Sequence, residues 1–327
     1  MIQIKKILVA TDFSENAEGT LAAARTVASG MGATVDLVNV IPTLTYMNES
    51  LKSIGAPIDL ESELFPKIIK EREEQGLDYL KRFIPEENRG EVIVRVDRKP
   101  SQFIVTQASE HNYDLVVIGA RGRDDTRLLR GGTTQRVIRR SEVPVLCVPK
   151  DFKTSEINNI LVPTDASRVS FCALPQALIM SKLFGADLTL FHVIELYGTA
   201  LEDMPHQPGK EERESLYERL IINLNNWLAE TDSGLTIVRT DVPFEDQLVD
   251  TDKDPGVHPP IRLSTYVGRG VSAHLEIEAY ADDNTDMVVI ATHGHSGLTH
   301  FFLGSTTERV VQTTQKPVLT IRPKPEG

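Results

Sequence analysis

The decapeptide KKILVATDFS at residues 5–14 returns as NNILVPTDAS at 158–167, and GATVDLVNVI (32–41) returns as GADLTLFHVI (185–194), both at a spacing of 153. Farther along, YDLVVIGARG (113–122) matches TDMVVIATHG (285–294) at a spacing of 172, and GGTTQRVIRRSEVPVLCV (131–148) matches GSTTERVVQTTQKPVLTI (304–321) at 173. A repeat of this length constrains the chain more than any single motif does, because each copy must bury a core of its own. It predicts two domains, 1–150 and 156–327, joined through the polar stretch DFKTSEIN. The growth in spacing gives the second copy roughly 19 extra residues. These are expected in the polar, proline-bearing stretch from Asp241 to Pro260, which reads as a loop insertion.

Within each copy, short β-branched runs alternate with longer stretches of helical period, the pattern of a parallel sheet covered on both faces. In the first copy the strands are expected at Ile4–Ala10, Thr34–Val40, Glu91–Val96, Leu115–Ile118 and Val145–Val148. In the second they are expected near 159–163, 187–193, 261–267, 287–291 and 318–321. The fold class is therefore α/β: two tandem doubly wound, five-stranded parallel-sheet domains of Rossmann-like strand order 3-2-1-4-5. Ligands of such sheets bind at the carboxyl ends of the strands where the order reverses, between strands one and four. Those strands end in the best-matched features of the repeat, Thr-Asp (Asp12, Asp165) and the glycine loops (Gly119–Gly122, Ala291–Gly294).

Composition excludes several classes. The N-terminal apolar run Ile7–Ala10 is too short for a signal-peptide core or a spanning helix, and no other run exceeds about six apolar residues, so a cytoplasmic protein with no membrane partner is expected. A net charge of -12 argues against a nucleic-acid partner. The charge is uneven, with 21 basic against 21 acidic residues in 1–150 and 14 against 26 in 151–327. Cys147 and Cys172 lie in apolar stretches and read as small buried hydrophobes.

The stretch HGHSGLTHFFLGST (293–306) combines glycines with a hydroxyl-rich helix start. Gly294 and Gly304 permit close backbone approach, and Ser305, Thr306 and Thr307 open a helical run, which makes an anion site suited to phosphate. A metal box built from His293, His295 and His300 is disfavoured because no acidic or cysteine partner is near. His293 is instead expected to donate to phosphate, and His192 to be a core or edge residue. Gly268-Arg-Gly270-Val-Ser-Ala273 fits the dinucleotide fingerprint G-x-G-x-x-A, but it follows the third strand rather than the first. No P-loop motif occurs. The arginines near the first copy's loop, such as Arg121, Arg123 and Arg136, read as a solvated basic face.

These residues resemble the ATP-binding branch of the universal stress protein family, whose loop runs Gly, two residues, Gly, nine residues, Gly, then Ser or Thr. The second copy matches through Gly294, Gly304 and Ser305 and departs only by Ala291 in place of the first Gly. In the first copy Gly119 and Gly122 match, and two registers then compete. One places Gly132-Thr133 at the Gly-Ser position; the other pairs Gly131-Gly132 with Gly304-Ser305, which makes the loop one residue short and removes the hydroxyl. The second uses more of the following helix and is preferred. The resemblance implies that Asp12 and Asp165 sit beside the nucleoside, that Val40 and Val193 edge the adenine, and that ATP or ADP is the ligand, with Mg²⁺ as a possible companion. The alternative role for each Asp is to cap the following turn. The resemblance also implies pairing through the last strand of each copy, giving an internal pseudo-dimer or a homodimer. Three functional readings follow: a nucleotide-binding regulatory or signalling module of the stress response, a slow Mg²⁺-dependent ATPase or self-phosphorylating enzyme, and a nucleotide-free dimerising protein.

Overall fold

The computed structural model describes residues 4–14, 17–43, 60–120, 132–149, 152, 157–196, 208–231, 234–251, 259–293 and 303–323. The chain divides into two compact units, Gln3–Thr154 and a second built around Ser155–Gly327.

The first unit runs β1 (Lys6–Ala10), α1 (Ala17–Met31), β2 (Thr34–Pro42), α2 (Leu60–Phe83), β3 (Arg89–Asp97), α3 (Pro100–Glu110), β4 (Leu115–Gly119), α4 (Thr133–Arg140) and β5 (Val145–Val148). Its sheet is parallel in the order β3-β2-β1-β4-β5. Central strands such as KILVA are almost wholly buried, as a sheet with helices on both faces requires. Helix α1 turns its small residues Ala17, Ala23, Ala24 and Ala28 inward with Leu21 and Val27. It ends at Gly32, in the left-handed region at φ 66.

The second unit runs β6 (Asn159–Pro163), α5 (Arg168–Phe171), α6 (Leu174–Phe184), β7 (Asp187–Glu195), α7 (Lys210–Glu230), β8 (Leu235–Arg239), β9 (Glu245–Asp250), β10 (Ile261–Gly270), α8 (Ala273–Asn284), β11 (Met287–Ala291), α9 (Ser305–Thr313) and β12 (Val318–Ile321). Five parallel strands keep the expected order, β10-β7-β6-β11-β12. The unit also departs from expectation. The stretch 241–260 is not simply a loop insertion, because β9 lies within it and pairs antiparallel with both β8 and β10, so the sheet gains two edge strands. The sequence EDQLVD is acidic and framed by prolines, which hid an alternation in which Asp246 and Leu248 are buried and Gln247 is exposed.

Asp246 explains why so acidic a strand can be held. Its carboxylate accepts from the Tyr217 hydroxyl at 2.7 Å and lies 3.1 Å from Arg239 Nε, while Arg239 stacks over the Tyr217 ring at 4.7 Å. The first unit uses the same chemistry elsewhere. Buried Asp36 accepts from the Tyr113 hydroxyl at 2.6 Å and from Glu91 N–H at 2.7 Å, with Lys6 Nζ 3.5 Å away. Burial and the neighbouring carboxylate push both phenols upward, so each remains a donor at any ordinary pH.

At the amino ends of the strands the two units agree again. Asp114 Oδ2 accepts from the N–H groups of Lys5 and Lys6 at 2.7 and 2.9 Å, and Asp286 Oδ2 from those of Asn158 and Asn159 at 2.8 and 3.0 Å. One carboxylate thus fixes strand one against strand four in each copy, and the carboxyl ends of those strands emerge side by side. No helix among the described residues is long and apolar enough to cross a membrane.

Candidate functional site

At the carboxyl end of β1 the chain leaves the sheet through a turn with every step specified. Thr11 N–H donates to Val38 O at 3.0 Å, Phe13 N–H to Thr11 Oγ1 at 3.0 Å, and Ser14 N–H to Asp12 Oδ1 at 3.0 Å. Phe13 takes the left-handed conformation at φ 56. The second unit repeats this bond for bond: Thr164 N–H to Phe191 O at 2.9 Å, Ala166 N–H to Thr164 Oγ1 at 3.0 Å, Ser167 N–H to Asp165 Oδ1 at 3.0 Å, with Ala166 at φ 62. Left-handed non-glycine residues cost free energy and persist only where neighbours over-determine them. Asp12 and Asp165 do cap the turn, and both residues are exposed at the strand ends. Capping uses one oxygen of each carboxylate, so this role and a role toward a ligand are compatible.

β4 and β11 lie beside these turns, with Ala10 abreast of Ile118 and Leu161 abreast of Val288. A threonine hydroxyl ties the following helix to each strand end: Thr134 Oγ1 donates to Gly119 O at 2.8 Å and Thr307 Oγ1 to Ala291 O at 2.7 Å. This tether aligns the helices at the 173 spacing and pairs Gly132 with Ser305 in side-chain position. The helix starts do not coincide, however. α4 begins at Thr133 with Gly132 as its cap, whereas α9 begins at Ser305 with Gly304 as its cap. The second unit's helix is one residue longer toward the switch point, and Ser305 is that added residue. The candidate Thr133 is thus the first residue of α4, and Thr306 the second of α9.

Gly304 holds α9 in place. Its N–H donates to Thr292 O at 2.8 Å, and a Cβ there would come within 3.1 Å of the same oxygen. That N–H is therefore committed to the protein, and the N–H groups left for a ligand are those of the first turn of α9, which have no intrahelical acceptor. At Gly132 an added Cβ would meet nothing within 4 Å. His293 Nδ1 lies 2.9 Å from Thr292 Oγ1. Gly122 and Gly294 lie outside the described residues, as do His295, His300, Arg121 and Arg123. Among the described residues no three His, Cys, Asp or Glu side chains come together as a metal-ligand set.

Val40 and Val193 stand at the ends of β2 and β7, both half-buried, and Val193 packs against the core around Phe191 and Val310. The residues beside them were not expected to matter. Asn39 Nδ2 donates to Thr11 O at 2.7 Å, and His192 Nδ1 lies 2.9 Å from Thr164 O. These two stand at the 153 spacing, so the repeat alignment itself was the signal that could have found them.

The dinucleotide fingerprint fails on geometry. Glu195 Oε1 accepts from Ala273 N–H at 2.7 Å, so the chain's own carboxylate occupies the helix start where a pyrophosphate would sit. The Glu276 side chain also lies against Gly270, where a Cβ would fall 2.1 Å from its Oε1.

A doubly wound sheet with paired turn and helix start at its switch point defines a class of small α/β domain, present here twice. The chain belongs to the universal stress protein family, whose model matches residues 3–149 and again 156–322. A universal stress protein from Mycolicibacterium smegmatis is 24% identical over 321 residues, 97% of each chain. One from Synechocystis is 27% identical over 215 residues, 64% of this chain and 58% of its own. Among solved structures, a universal stress protein from Archaeoglobus fulgidus aligns over 99% of this chain and 98% of its own, with a TM-score of 0.54 at 19% identity. These structural likenesses speak to the fold.

Proposed function

We propose that the protein binds an adenine nucleotide, ATP or ADP, chiefly in its second unit, and serves as a regulatory or signalling module of the stress response. In this reading the phosphates meet the first turn of α9, where N–H groups and the helix dipole favour an anion, with Ser305 and Thr306 supplying hydroxyls. The nucleoside lies toward the Thr164–Ser167 turn, because a carboxylate such as Asp165 accepts from ribose hydroxyls or an adenine amine and repels phosphate. Val193 edges the base. Asp12, Val40, Gly119, Gly132 and Thr133 form the corresponding, weaker site of the first unit.

The observation that carries this reading is the docking of α9. Gly304 N–H and Thr307 Oγ1 together anchor the helix start to the end of β11, one strand from the Asp165 turn. Family membership supports it at the level of the fold and the repeated loop. No described side chain is placed as a general base or nucleophile beside that helix start, so the proposal is binding rather than turnover.

The deciding experiment is mass analysis of small molecules released by acid from the purified protein, followed by calorimetric titration of ATP and ADP into nucleotide-free protein. Recovered ATP or ADP, and titration that Asp165→Ala weakens, are expected. Absence of any adenine nucleotide together with no heat of binding would refute the reading. Phosphate release in Mg²⁺ at roughly 1 to 100 per second, the range of dedicated phosphotransferases, would replace it with an enzymatic one.

A further inference from the structure

We infer that Asn39 and His192 are positioning residues, each holding the Thr-Asp turn of its unit in the form that receives the nucleoside. The inference rests on the nucleotide-binding reading for its functional consequence and on hydrogen-bond geometry for the clamp itself.

The turns at 11–14 and 164–167 share three backbone N–H bonds, and in each the threonine carbonyl takes its donor from a side chain of the second strand. Threonine N–H goes to the second strand, threonine hydroxyl and aspartate oxygen accept the next two N–H groups, and the threonine carbonyl is left facing the second strand. That carbonyl begins the peptide that carries the aspartate. It lies just past the end of the β1–β2 or β6–β7 pairing, and among the described residues its hydrogen bond comes from a side chain. Asn39 fills the role in the first unit at 2.7 Å and His192 in the second at 2.9 Å. An amide and an imidazole share little except an N–H at similar reach, so their recurrence at the same bond points to that bond as the common purpose.

The surroundings of Asn39 strengthen the assignment. The residue is 6% exposed, and its Oδ1 accepts no hydrogen bond among the described residues. Burying an unmet amide oxygen is unfavourable, and an apolar residue of similar size would avoid it. The return for placing asparagine there is the Nδ2 bond to Thr11 O. In the second unit the bond requires the proton on Nδ1, which leaves Nε2 an acceptor in the neutral ring. Both clamps act one residue before the adenine-edge position, so base edge and aspartate turn are held by a single strand end.

The test compares His192→Leu and His192→Asn with the unaltered protein, and Asn39→Leu in parallel. Three readouts are followed: titration of ATP, titration of inorganic pyrophosphate as a probe of the phosphate end alone, and hydrogen exchange at the amides of 166 and 167. Loss of the clamp is expected to lower ATP affinity by about tenfold, the scale of one lost buried hydrogen bond, with pyrophosphate affinity unchanged. Exchange should quicken in the turn but not in β6 or β11, and His192→Asn should restore both. Equal loss of ATP and pyrophosphate binding with faster exchange throughout the unit would show a general packing role and overturn the inference. So would unchanged turn exchange in His192→Leu. If the unaltered protein binds no ATP, the nucleotide reading fails, while the exchange data still decide whether the clamp exists.

Discussion

The two units build the same turn after their first strand but not the same helix start after their fourth. Thr11–Ser14 and Thr164–Ser167 share the same three backbone N–H bonds and the left-handed residue in the middle, although Phe13 and Ala166 differ widely in size. Among the described residues the helix starts share the threonine tether and a glycine cap, set one residue apart. In the second unit the helix gains Ser305, and the preceding glycine is pressed against Thr292 O; in the first, a Cβ added at Gly132 would meet no atom of the described residues within 4 Å. The difference teaches that the turn is maintained in both copies, while the helix start reaches one residue farther toward the switch point in the second; in the nucleotide-binding reading proposed above, this makes the second unit the stronger site.

The largest expected effect that tests this comparison is at Gly304. Its backbone, at φ -57 and ψ 139, suits any residue, so a substitution is opposed by contact alone. Valine adds a Cβ at 3.1 Å from Thr292 O and two methyl groups beyond it, and the helix must lift from β11. Overpacking of about 1–3 kcal/mol would fall on the element whose N–H groups are proposed to meet the phosphates. Gly304→Val is expected to weaken ATP binding about a hundredfold, and Gly132→Val to leave it within a few-fold. Calorimetric titration of both variants checks this; equal losses would erase the distinction between the units.

A smaller effect is expected at Ser305. Ser305→Gly removes one hydroxyl and gives the second unit the residue that the first carries at the tether-aligned position. A hydrogen bond to a charged group is worth about 1.5–3 kcal/mol, so affinity should fall ten- to a hundredfold with little change in melting temperature. An unchanged affinity would show that the phosphates are held by backbone alone.

The tyrosine–aspartate pairs offer a comparison in stability. Tyr217→Phe leaves Asp246 to Arg239, and Tyr113→Phe leaves Asp36 with Glu91 N–H and Lys6. Each should cost about 1–2 kcal/mol, with Tyr217→Phe the larger because Asp246 loses its hydroxyl donor and keeps no backbone donor among the bonds described. Denaturant unfolding of each variant measures the pair. A larger cost at Tyr113 would mean that the added strands are secured mainly by their ladders.

Much of this was legible in the chain before any coordinates. The parallel strands are runs of buried apolar residues, and their alternation with helical stretches gave their order, because doubly wound topology admits few arrangements. The candidate residues Asp12 and Asp165 were legible because the repeat marks them twice, and Gly304 and Ser305 because they stand at the loop spacing of the resembled family. What escaped notice lacked either periodicity or repetition. β9 is acidic and has no counterpart in the first copy, and its stability depends on Tyr217, remote in sequence, and on Arg239 directly opposite on β8. Asn39 and His192, the latter expected only as a core or edge residue, stand at the 153 spacing but differ in kind, so the repeat marks the position and the hydrogen bonds show that each serves the threonine carbonyl of its own unit. The true helix starts were equally hidden, since a one-residue offset between a cap and a first turn depends on where the chain docks rather than on which residues it contains.

That offset supports the smallest and sharpest prediction, Gly132→Ser. If the first unit were weak merely for want of a hydroxyl, restoring one at the position aligned with Ser305 would restore affinity. The structure argues otherwise, because Gly132 is the cap of α4 whereas Ser305 lies inside α9. A serine at a cap bonds the N–H of the second or third helical residue and is preferred over glycine by a few tenths of a kcal/mol. Its hydroxyl would thus be turned onto its own helix. With φ -53, ψ 164 and no atom within 4 Å of an added Cβ, the substitution meets no steric objection. Gly132→Ser is therefore expected to raise the stability of the first unit slightly and to leave its nucleotide affinity unchanged, measured by titration in an Asp165→Ala background. A tenfold gain in affinity would show that the two helix starts are interchangeable, and that the units differ by one hydroxyl rather than by one residue of helix.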